Sequence, residues 1–518
     1  MVLSSVQTLI SFAALVAACL TTTSVVQSTP LEYNPVSTAG NIVTLTHNHP
    51  AYGADMMSAE NLAYEDRTYQ DASESEDRDL DGSSATVTFP VGVIVIPTLR
   101  AVPTGTAAAA TAAIAPVDNS TLTFASERIG AASASGETGT VNAGSAVRRH
   151  LETTGTDVQK LEGYFKTSLE MSFYQLPMKA SAPTMPWPSS YWPIYQDGIN
   201  YQWSPNQASP ASKYAKAFGL DAQAFTKSVS QATGILSQST RPGCSSNFQC
   251  SYLGDGSACA KRAGESRGYC VPTWFGICHA WTPASILEPE PSCAVTKNGV
   301  TFQPLDIKAL LTQIYDGAQL DTVFTGVRFN GDDNTTPKDK YGRYTDSSRR
   351  DLGAGFFHLA ISNILGVFNQ SFILDVTGGA QVWNQPVYSY EMTEMVEMTA
   401  QQGAQKFYNT NKYPFNSQAK SLVYVAMKVT WMVEALEDGP LVQNGRAFAY
   451  TTSDTYTYLV ELDASKRVIG GEWVGASNAD HPDFLWFATG KPADSTVTNA
   501  GLSYKNVQEL LAASLNCQ

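Results

Sequence analysis

Cys278 is a candidate nucleophile because the other cysteines can pair among themselves. The chain has eight cysteines, and seven remain once Cys19 is removed with an apolar leader segment. In an oxidising compartment, an odd number implies three disulfide bridges and one thiol left over, or an intermolecular link. The candidates for the bridges are Cys244, Cys250, Cys259, Cys270, Cys293 and Cys517.

The residues around Cys278 favour a reactive thiol. In "WFGICHAWTPASILEP", Gly276 permits a tight turn before the cysteine, and Pro289 would end a short helix after it. A helix that starts at Cys278 would place backbone N–H groups beside the thiol, which favours the thiolate and supplies oxyanion donors. A buried, inert cysteine in the same setting is the alternative.

A nucleophilic thiol needs a base and an orienting acid. His279 adjoins Cys278, but successive helical side chains diverge, and His481 lies in a turn. We therefore predict His358, in the apolar pattern "GAGFFHLAISN", as the base, with a buried core histidine as the alternative. Asp375, at the end of the next predicted strand, is the candidate orienting acid, and a solvated aspartate at a strand edge is its alternative.

Three regions follow from composition. Residues 1–28 contain a short apolar run followed by small residues, as in a secretory signal peptide, and no later stretch reaches the about 18 apolar residues of a membrane helix. Residues 29–150 are acidic or rich in Ala, Gly, Ser and Thr, which predicts a largely disordered propeptide or linker, with "VTFPVGVIVIP" as an exception. The pair Arg148–Arg149 is a candidate processing site. Residues 151–518 form the predicted globular domain.

The globular region predicts an α+β fold. Helical spacing dominates its first part, in "TDVQKLEGYFKTSLEMSF" and in two helices divided near Gly219. Segments rich in aromatic and β-branched residues follow, and we predict strands in "GFFHLAISNILG", "QSFILDVTG" and "AFAYTTSDTYTYLVELD". Helices first and strands later are typical of α+β domains with an antiparallel sheet.

Charge and sequons add information about partners and compartment. The net charge of −14 argues against nucleic-acid binding, because there is no basic surplus to neutralise phosphates. Three N-x-S/T sequons are candidate glycosylation sites of a secreted protein. They are Asn119, Asn334 and Asn369.

Several segments together resemble the oomycete transglutaminase elicitor family. The most specific is "VWNQPVYSYEMTEM", which is similar to the surface peptide of that family that plants detect. The similarity extends to "GYCVPTWFGICHAWTPASILEPEPSCAVTKNGVTF", "FFHLAISNILG" and "GGEWVGASNADHPDFLW". It covers residues from about 158 to beyond 481 and leaves the acidic, Ala-rich region unmatched.

The resemblance implies a secreted, calcium-dependent transglutaminase with a papain-like catalytic arrangement. Such an enzyme joins glutamine and lysine side chains of protein substrates through a cysteine thioester. Carried over onto this chain, the nucleophile is Cys278 and the base is His358, and Asp375 takes the place of the acid by order and spacing. The elicitor core is Val382, Trp383, Asn384, Gln385, Pro386 and Val387, which a plant cell-surface receptor would recognise.

Two points depart from or extend the family pattern. After Val387, "YSYEMTEM" lacks the basic residue expected there, which bears on recognition by plants and not on catalysis.

Calcium could be held by carboxylates of the loop "FNGDDNTTPKDKYGRYTD", although a solvated acidic loop is the alternative because EF-hand spacing is absent. The candidate ligands are Asp332, Asp333 and Asp339.

Two other functions remain open from sequence alone. A papain-like cysteine peptidase needs the same thiol, imidazole and carboxylate, and it differs only in the acceptor of the acyl group. A non-catalytic cell-wall or recognition protein could use the disulfide cluster as a scaffold.

Overall fold

The structure covers the globular region and six residues that precede it in sequence. The computed structural model describes residues 43–45, 49, 51–52, 155–329, 335–350 and 352–517. All of them belong to one compact unit, which spans Asn34–Gln518. The predicted signal peptide, the segment "VTFPVGVIVIP" and the pair Arg148–Arg149 lie outside the described residues.

Antiparallel strands form the centre of the described chain. The main sheet has nine strands within these residues, in the order β1-β8-β14-β9-β10-β11-β12-β13, with β2 beside β10. Its strands are β1 Val43–Thr44, β2 Lys179–Ser181, β8 Asp321–Gly326, β9 Ile373–Asp375, β10 Asn384–Thr399, β11 Ser421–Met432, β12 Thr451–Leu462, β13 Val468–Trp473 and β14 Phe484–Ala488. Every pair in it is antiparallel. The predicted α+β fold class is confirmed.

Helices lie on both faces of the sheet. They are α1 Gly155–Phe165, α2 Pro210–Ala217, α3 Ala222–Thr233, α4 Cys278–Leu287, α5 Pro304–Gly317, α6 Ala354–Ile361, α7 Ala400–Tyr408 and α8 Tyr504–Leu515. The predicted division between α2 and α3 is correct: Gly219 has a φ of +70°, a conformation that glycine adopts without a steric penalty. Side chains of Ser209 and Asp221 cap the two helices.

Neighbouring residues of the central strands enter two different cores. Val323 and Leu485 pack with α1 and α6, whereas Phe324 and Trp486, one residue further along each strand, pack with α4, α5 and α8. This alternation is the two-residue period of a strand that is buried on both faces. Cys278 belongs to the first core although its helix packs in the second, so it lies where the two cores meet.

The segment "GFFHLAISNILG" is a helix, and the predicted strand is wrong. α6 covers Ala354–Ile361 and continues as a wider helical turn over Ser362–Val367. All eight residues of α6 are buried, so the segment is apolar on every side and its sequence has no helical periodicity. Such a run cannot be distinguished from a buried strand by pattern alone.

The cysteine-rich region forms a separate small sheet. Its strands are β3 Gly243–Cys244, β4 Ser257–Ala260 and β5 Gly268–Pro272, and a two-stranded ribbon follows, β6 Val295–Lys297 and β7 Val300–Phe302. Bridges join Cys244 to Cys259 and Cys250 to Cys270 across the small sheet. A third bridge, Cys293–Cys517, ties the end of the chain to the segment that follows α4. The six predicted cysteines are therefore all paired.

Residues before the globular region also join the sheet. β1 pairs with β8 through Val43–Thr322 and Thr44–Asp321, and the described residues that follow it are buried. Those residues are Leu45, His49, Ala51 and Tyr52. Part of the region 29–150 is therefore ordered, at the described residues that pair with β8 or are buried. No helix among the described residues is long and apolar enough to cross a membrane.

The contact between α6 and β13 gives a test of the fold. A Cβ on Gly471 would lie 2.5 Å from the backbone nitrogen of Gly355 and 2.6 Å from the carbonyl oxygen of Leu459. We expect Gly471→Ala to lower the free energy of unfolding by at least about 2 kcal/mol, because backbone atoms of a helix and a strand must separate. Urea denaturation measures this.

The matched control is Gly490→Ala. A Cβ at Gly490 would meet no atom within 4 Å, so its effect should stay within about 0.5 kcal/mol. Equal stabilities of the Gly471→Ala and Gly490→Ala variants would contradict the close contact.

Candidate active site

The helix that carries Cys278 begins at this residue. Ile277 precedes it as the N-cap, and the N–H of Trp281 donates to the Ile277 carbonyl at 3.1 Å. The first N–H groups of a helix have no partners within the helix, and its dipole favours an anion there. The structure therefore places the thiol at a helix start, as the sequence predicts.

Gly276 fixes the approach to this helix. A Cβ on Gly276 would lie 2.4 Å from Cδ2 of Tyr191 and 2.6 Å from the Tyr191 carbonyl oxygen, so only glycine allows the two segments to meet. The N–H of Ile277 donates to that same carbonyl at 2.8 Å. The hydroxyl of Tyr191 donates to the carbonyl of Thr273 at 2.8 Å. The loop before the cysteine is thus held at both ends by one tyrosine.

The thiol of Cys278 lies against the start of β10. It is 5% exposed, with the side-chain nitrogen of Asn384 at 3.5 Å and the carbonyl oxygen of Val382 at 3.9 Å. Asn384 is itself held in place, because its Oδ1 accepts the indole N–H of Trp486 at 2.8 Å. Cys278 is the free cysteine of the described chain.

Burial makes this thiol a weak acid. It raises the pKa of Cys278 to about 11, an effect that the hydrogen bond from Asn384 opposes and that the negative charges of Glu434 and Asp375 reinforce. In this conformation the cysteine is therefore protonated at neutral pH.

Asp375 lies opposite Asn384 in the β9–β10 pair. Its Oδ1 accepts the backbone N–H of Trp383 at 3.0 Å and the hydroxyl of Thr377 at 3.1 Å. Its Oδ2 has no hydrogen-bond partner among the described residues. Burial raises the pKa of Asp375 to about 7, and burial together with the Asp375 charge raises the pKa of Asp483. The structure thus brings the predicted acid close enough to influence the thiol.

The structure does not join His358 to the thiol. Its Nδ1 is 3.0 Å from the hydroxyl of Tyr458, its ring stacks on Phe173, and its Nε2 has no hydrogen-bond partner within the described chain. Burial lowers the pKa of His358 to about 3. The residue therefore occupies a core position on α6, and its role as the base stays a prediction.

The other described histidines also have partners away from the sulfur. Nε2 of His279 is 3.0 Å from Oδ1 of Asp316, and the ring nitrogens of His481 contact the carbonyls of Ser477 and Arg349. Over the ranges that the structure describes, no histidine is hydrogen-bonded to the Cys278 thiol.

The elicitor core is an internal part of the site. Its residues are buried, and Trp383 packs on Tyr191 with ring centroids 5.4 Å apart. The peptide expected at the surface thus forms a wall beside the nucleophile. The buried residues are Val382, Trp383, Asn384, Gln385, Pro386 and Val387.

The remaining candidate residues fall outside the thiol site. Asn369 is exposed, as a glycosylation acceptor must be, and has a φ of +54°. Oδ1 of Asp339 already accepts the N–H groups of Tyr341 and Arg343, at 2.8 and 3.1 Å, so it serves a turn. The other candidates for glycosylation and for calcium are not among the described residues. These are Asn119, Asn334, Asp332 and Asp333.

Sequence reasoning missed four residues around the thiol. Asn384 appears in the sequence only as part of the elicitor core, and Trp486 and Tyr191 have no local signal. Glu434 is partly buried, with Oε1 accepting from the Gln385 amide at 2.8 Å and with burial raising its pKa to about 7. These residues lie in separate parts of the chain, only Asn384 is hydrogen-bonded to the thiol, and no spacing along the chain predicts that they meet there.

Comparisons with known proteins agree on one family. A family model described as "Transglutaminase elicitor" matches residues 157–517. The crystal structure of the GP42 transglutaminase from Phytophthora sojae is similar, at 50% sequence identity and a TM-score of 0.64. The match covers 70% of this chain and 98% of that chain. No curated protein matches the chain.

Proposed function

The chain belongs to the transglutaminase elicitor family, and we propose that it is a secreted protein–glutamine γ-glutamyltransferase with Cys278 as its nucleophile. The observation that carries the proposal is the free thiol of Cys278 at the start of a helix, in a domain whose other described cysteines are bridged. A bridge at this position would remove the nucleophile. Membership of the family favours acyl transfer over peptide hydrolysis. No contact in the site argues for hydrolysis.

The first half of the reaction releases ammonia. The Cys278 thiol gives its proton to the Asp375 carboxylate, and the sulfur attacks the carboxamide carbon of a substrate glutamine. The carbon–nitrogen bond then breaks, the leaving group takes the proton back from Asp375, and a γ-glutamyl thioester remains. Asp375 suits this task because its Oδ2 has no hydrogen-bond partner among the described residues and burial raises its pKa, which favours the acceptance of a proton.

The second half forms the isopeptide bond. A lysine amine of a second protein attacks the thioester, Asp375 takes a proton from it, and the departing sulfur recovers a proton to restore the thiol. Water competes for the thioester and would give glutamate instead. Trp383 and Tyr191 beside the thiol are apolar surfaces that limit access of water.

Location and partners follow from the same proposal. Three disulfide bridges suit an extracellular setting, and the apolar leader at residues 1–28 supports export. The substrates are proteins that supply glutamine and lysine side chains. A plant cell-surface receptor is a further partner that the elicitor core implies, although that core is buried in this fold.

Calcium is proposed as a requirement on the family's account alone. The described residues do not fit a calcium site: Oδ1 of Asp339 accepts hydrogen bonds from two backbone N–H groups, and the three clustered sulfurs of Cys244, Cys250 and Cys259 belong to bridges. No step of the mechanism is therefore assigned to the ion. Chelation with EGTA, followed by return of Ca²⁺ or Mg²⁺, tests the requirement in an assay of amine incorporation.

Incorporation of a fluorescent amine into a glutamine-rich protein tests the activity. We expect the full chain to incorporate the amine and Cys278→Ala to reduce the signal to background, because no other described cysteine is free. Ser285→Ala, a buried change on the same helix, should keep most of the activity. Incorporation by Cys278→Ala would refute the mechanism, and cleavage of the protein without incorporation would indicate a peptidase.

The pH profile tests the role of Asp375. Activity should rise as the pH increases through about 7, because the carboxyl must lose its proton before it can accept one from the thiol. In Asp375→Asn this limb should disappear and the rate at pH 7.5 should fall by about 10²–10⁴.

Glu434→Gln is the matched control for that profile. Glu434 is a second carboxyl near the thiol whose pKa is also about 7, so the variant should keep the limb if Asp375 is responsible for it. If the rising limb of the pH profile is lost in Glu434→Gln and kept in Asp375→Asn, Glu434 is the base and Asp375 is not.

A further inference from the structure

Asn384 is placed to bind the oxygen on which charge develops during acyl transfer. Its side-chain nitrogen carries two hydrogens: one partner is the thiol of Cys278 at 3.5 Å, and the other is the carbonyl oxygen of Ala51 at 2.8 Å. One amide thus reaches the nucleophile and a carbonyl oxygen at the same time. This is the relation that a reacting carbonyl must have to the sulfur and to an oxyanion donor.

The orientation of the amide is fixed by a third contact. Trp486 can only donate through its indole nitrogen, so the atom of Asn384 that accepts from it at 2.8 Å is the oxygen. The nitrogen must then face Cys278 and Ala51. Asn384 is fully buried and lies at the start of β10 opposite Asp375, so the donor is held in place before substrate arrives.

We propose that Asn384 is a catalytic residue that donates a hydrogen bond to the oxyanion formed on the substrate carbonyl. In this conformation the Ala51 carbonyl occupies the place of that substrate carbonyl. This inference rests on the proposed function of the thiol. As the carbon–sulfur bond forms, the electron pair of the carbonyl moves onto oxygen, and the N–H of Asn384 stabilises that charge. When the carbonyl reforms, the carbon–nitrogen bond breaks and ammonia leaves with the proton from Asp375. The elicitor core thus contributes to catalysis.

Variants of Asn384 separate this role from a merely structural one. In Asn384→Ala we expect kcat for amine incorporation to fall by about 10²–10³ with little change in KM, since the donor acts in the transition state. Alkylation of Cys278 by iodoacetamide forms no oxyanion at a carbonyl, so its rate should stay level or rise. Asn384→Asp should be no better than alanine because its charge repels the oxyanion.

Asn363→Ala is the matched control. Asn363 is also a fully buried asparagine, and its amide bonds the backbone of Glu170 and Leu359. The variant should lose stability and keep kcat within about threefold. The proposal is overturned if Asn384→Ala keeps kcat, or if its alkylation rate falls in parallel with kcat.

An ester substrate distinguishes a failure of the proposed oxyanion role of Asn384 from a failure of the proposed transferase function. Hydrolysis of p-nitrophenyl acetate passes through an oxyanion without needing an amine acceptor. If the full chain hydrolyses the ester and incorporates no amine, the transferase function fails, and the loss of kcat in Asn384→Ala is still measured on the ester.

A second proposal rests on the docking of the N-terminal segment itself. Strand β1 extends the sheet at its β8 edge, and the hydroxyl of Tyr52 donates to the Asp316 carbonyl at 2.7 Å. The ring of Tyr52 packs on His279, the residue after the nucleophile, with ring centroids 3.6 Å apart and planes tilted by 32°. A guanidinium nitrogen of Arg328 is 3.4 Å from the Tyr52 carbonyl oxygen.

We infer that the described residues between 43 and 52 form an intramolecular blocking segment that keeps the thiol latent. The segment uses three means: strand pairing, a buried aromatic side chain, and the Ala51 carbonyl on Asn384. Its departure would expose Cys278 and free the amide for substrate. Exposure would also remove burial, the largest cause of the raised thiol pKa.

Tyr52→Ala in the full chain tests the blocking role. Removing a buried aromatic side chain should weaken docking and raise the rate of Cys278 alkylation at pH 8 by at least about tenfold. The initial rate of amine incorporation should rise as well. The control is Tyr413→Ala, a buried tyrosine in a different core cluster, which reports general destabilisation. An unchanged alkylation rate in Tyr52→Ala, or an equal rise in Tyr413→Ala, would overturn the proposal.

Discussion

Burial of the central strands on both faces is the constraint from which the site follows. Each polar side chain on these strands must find a partner inside the protein, because an unsatisfied buried group costs about 1–3 kcal/mol. Asn384 meets this requirement with the indole of Trp486, the thiol of Cys278 and the carbonyl of Ala51. The satisfaction of one buried amide therefore links β14, the start of α4 and the N-terminal segment.

The disulfide bridges do not touch the Asn384 amide, but they constrain the chain on both sides of the helix that carries Cys278. Two of them hold the small sheet that ends at Pro272, shortly before the Gly276 loop, and the third ties the C-terminus beyond α8 to Cys293 beyond α4. The helix of the nucleophile is thus bounded on both sides by covalently constrained segments. A preorganised thiol needs such support, because a shift of about 1 Å at a reacting group lowers rates by about 10².

Local signals made part of this site predictable. Cys278 followed from cysteine arithmetic and from the glycine and proline around it, and the division of α2 from α3 followed from Gly219. The predicted strand around His358 failed because α6 is buried on every side and therefore carries no periodicity. The roles of Asn384, Trp486 and Ala51 depend on contacts between residues more than one hundred positions apart. A single sequence contains no pattern for such contacts, whereas family resemblance located the peptide without indicating its place inside the fold.

The conformation described here favours latency over reactivity. A thiol with a pKa of about 11 is almost entirely protonated at neutral pH, although the helix start and the Asn384 amide both favour its ionised form. Burial outweighs these two stabilising effects, and Ala51 and Tyr52 contact the immediate neighbours of the thiol, Asn384 and His279. The same amide that would stabilise an oxyanion is occupied by the backbone carbonyl of Ala51. If residues 43–52 block the thiol as proposed, their removal would relieve the occlusion, the raised pKa and the occupied donor together.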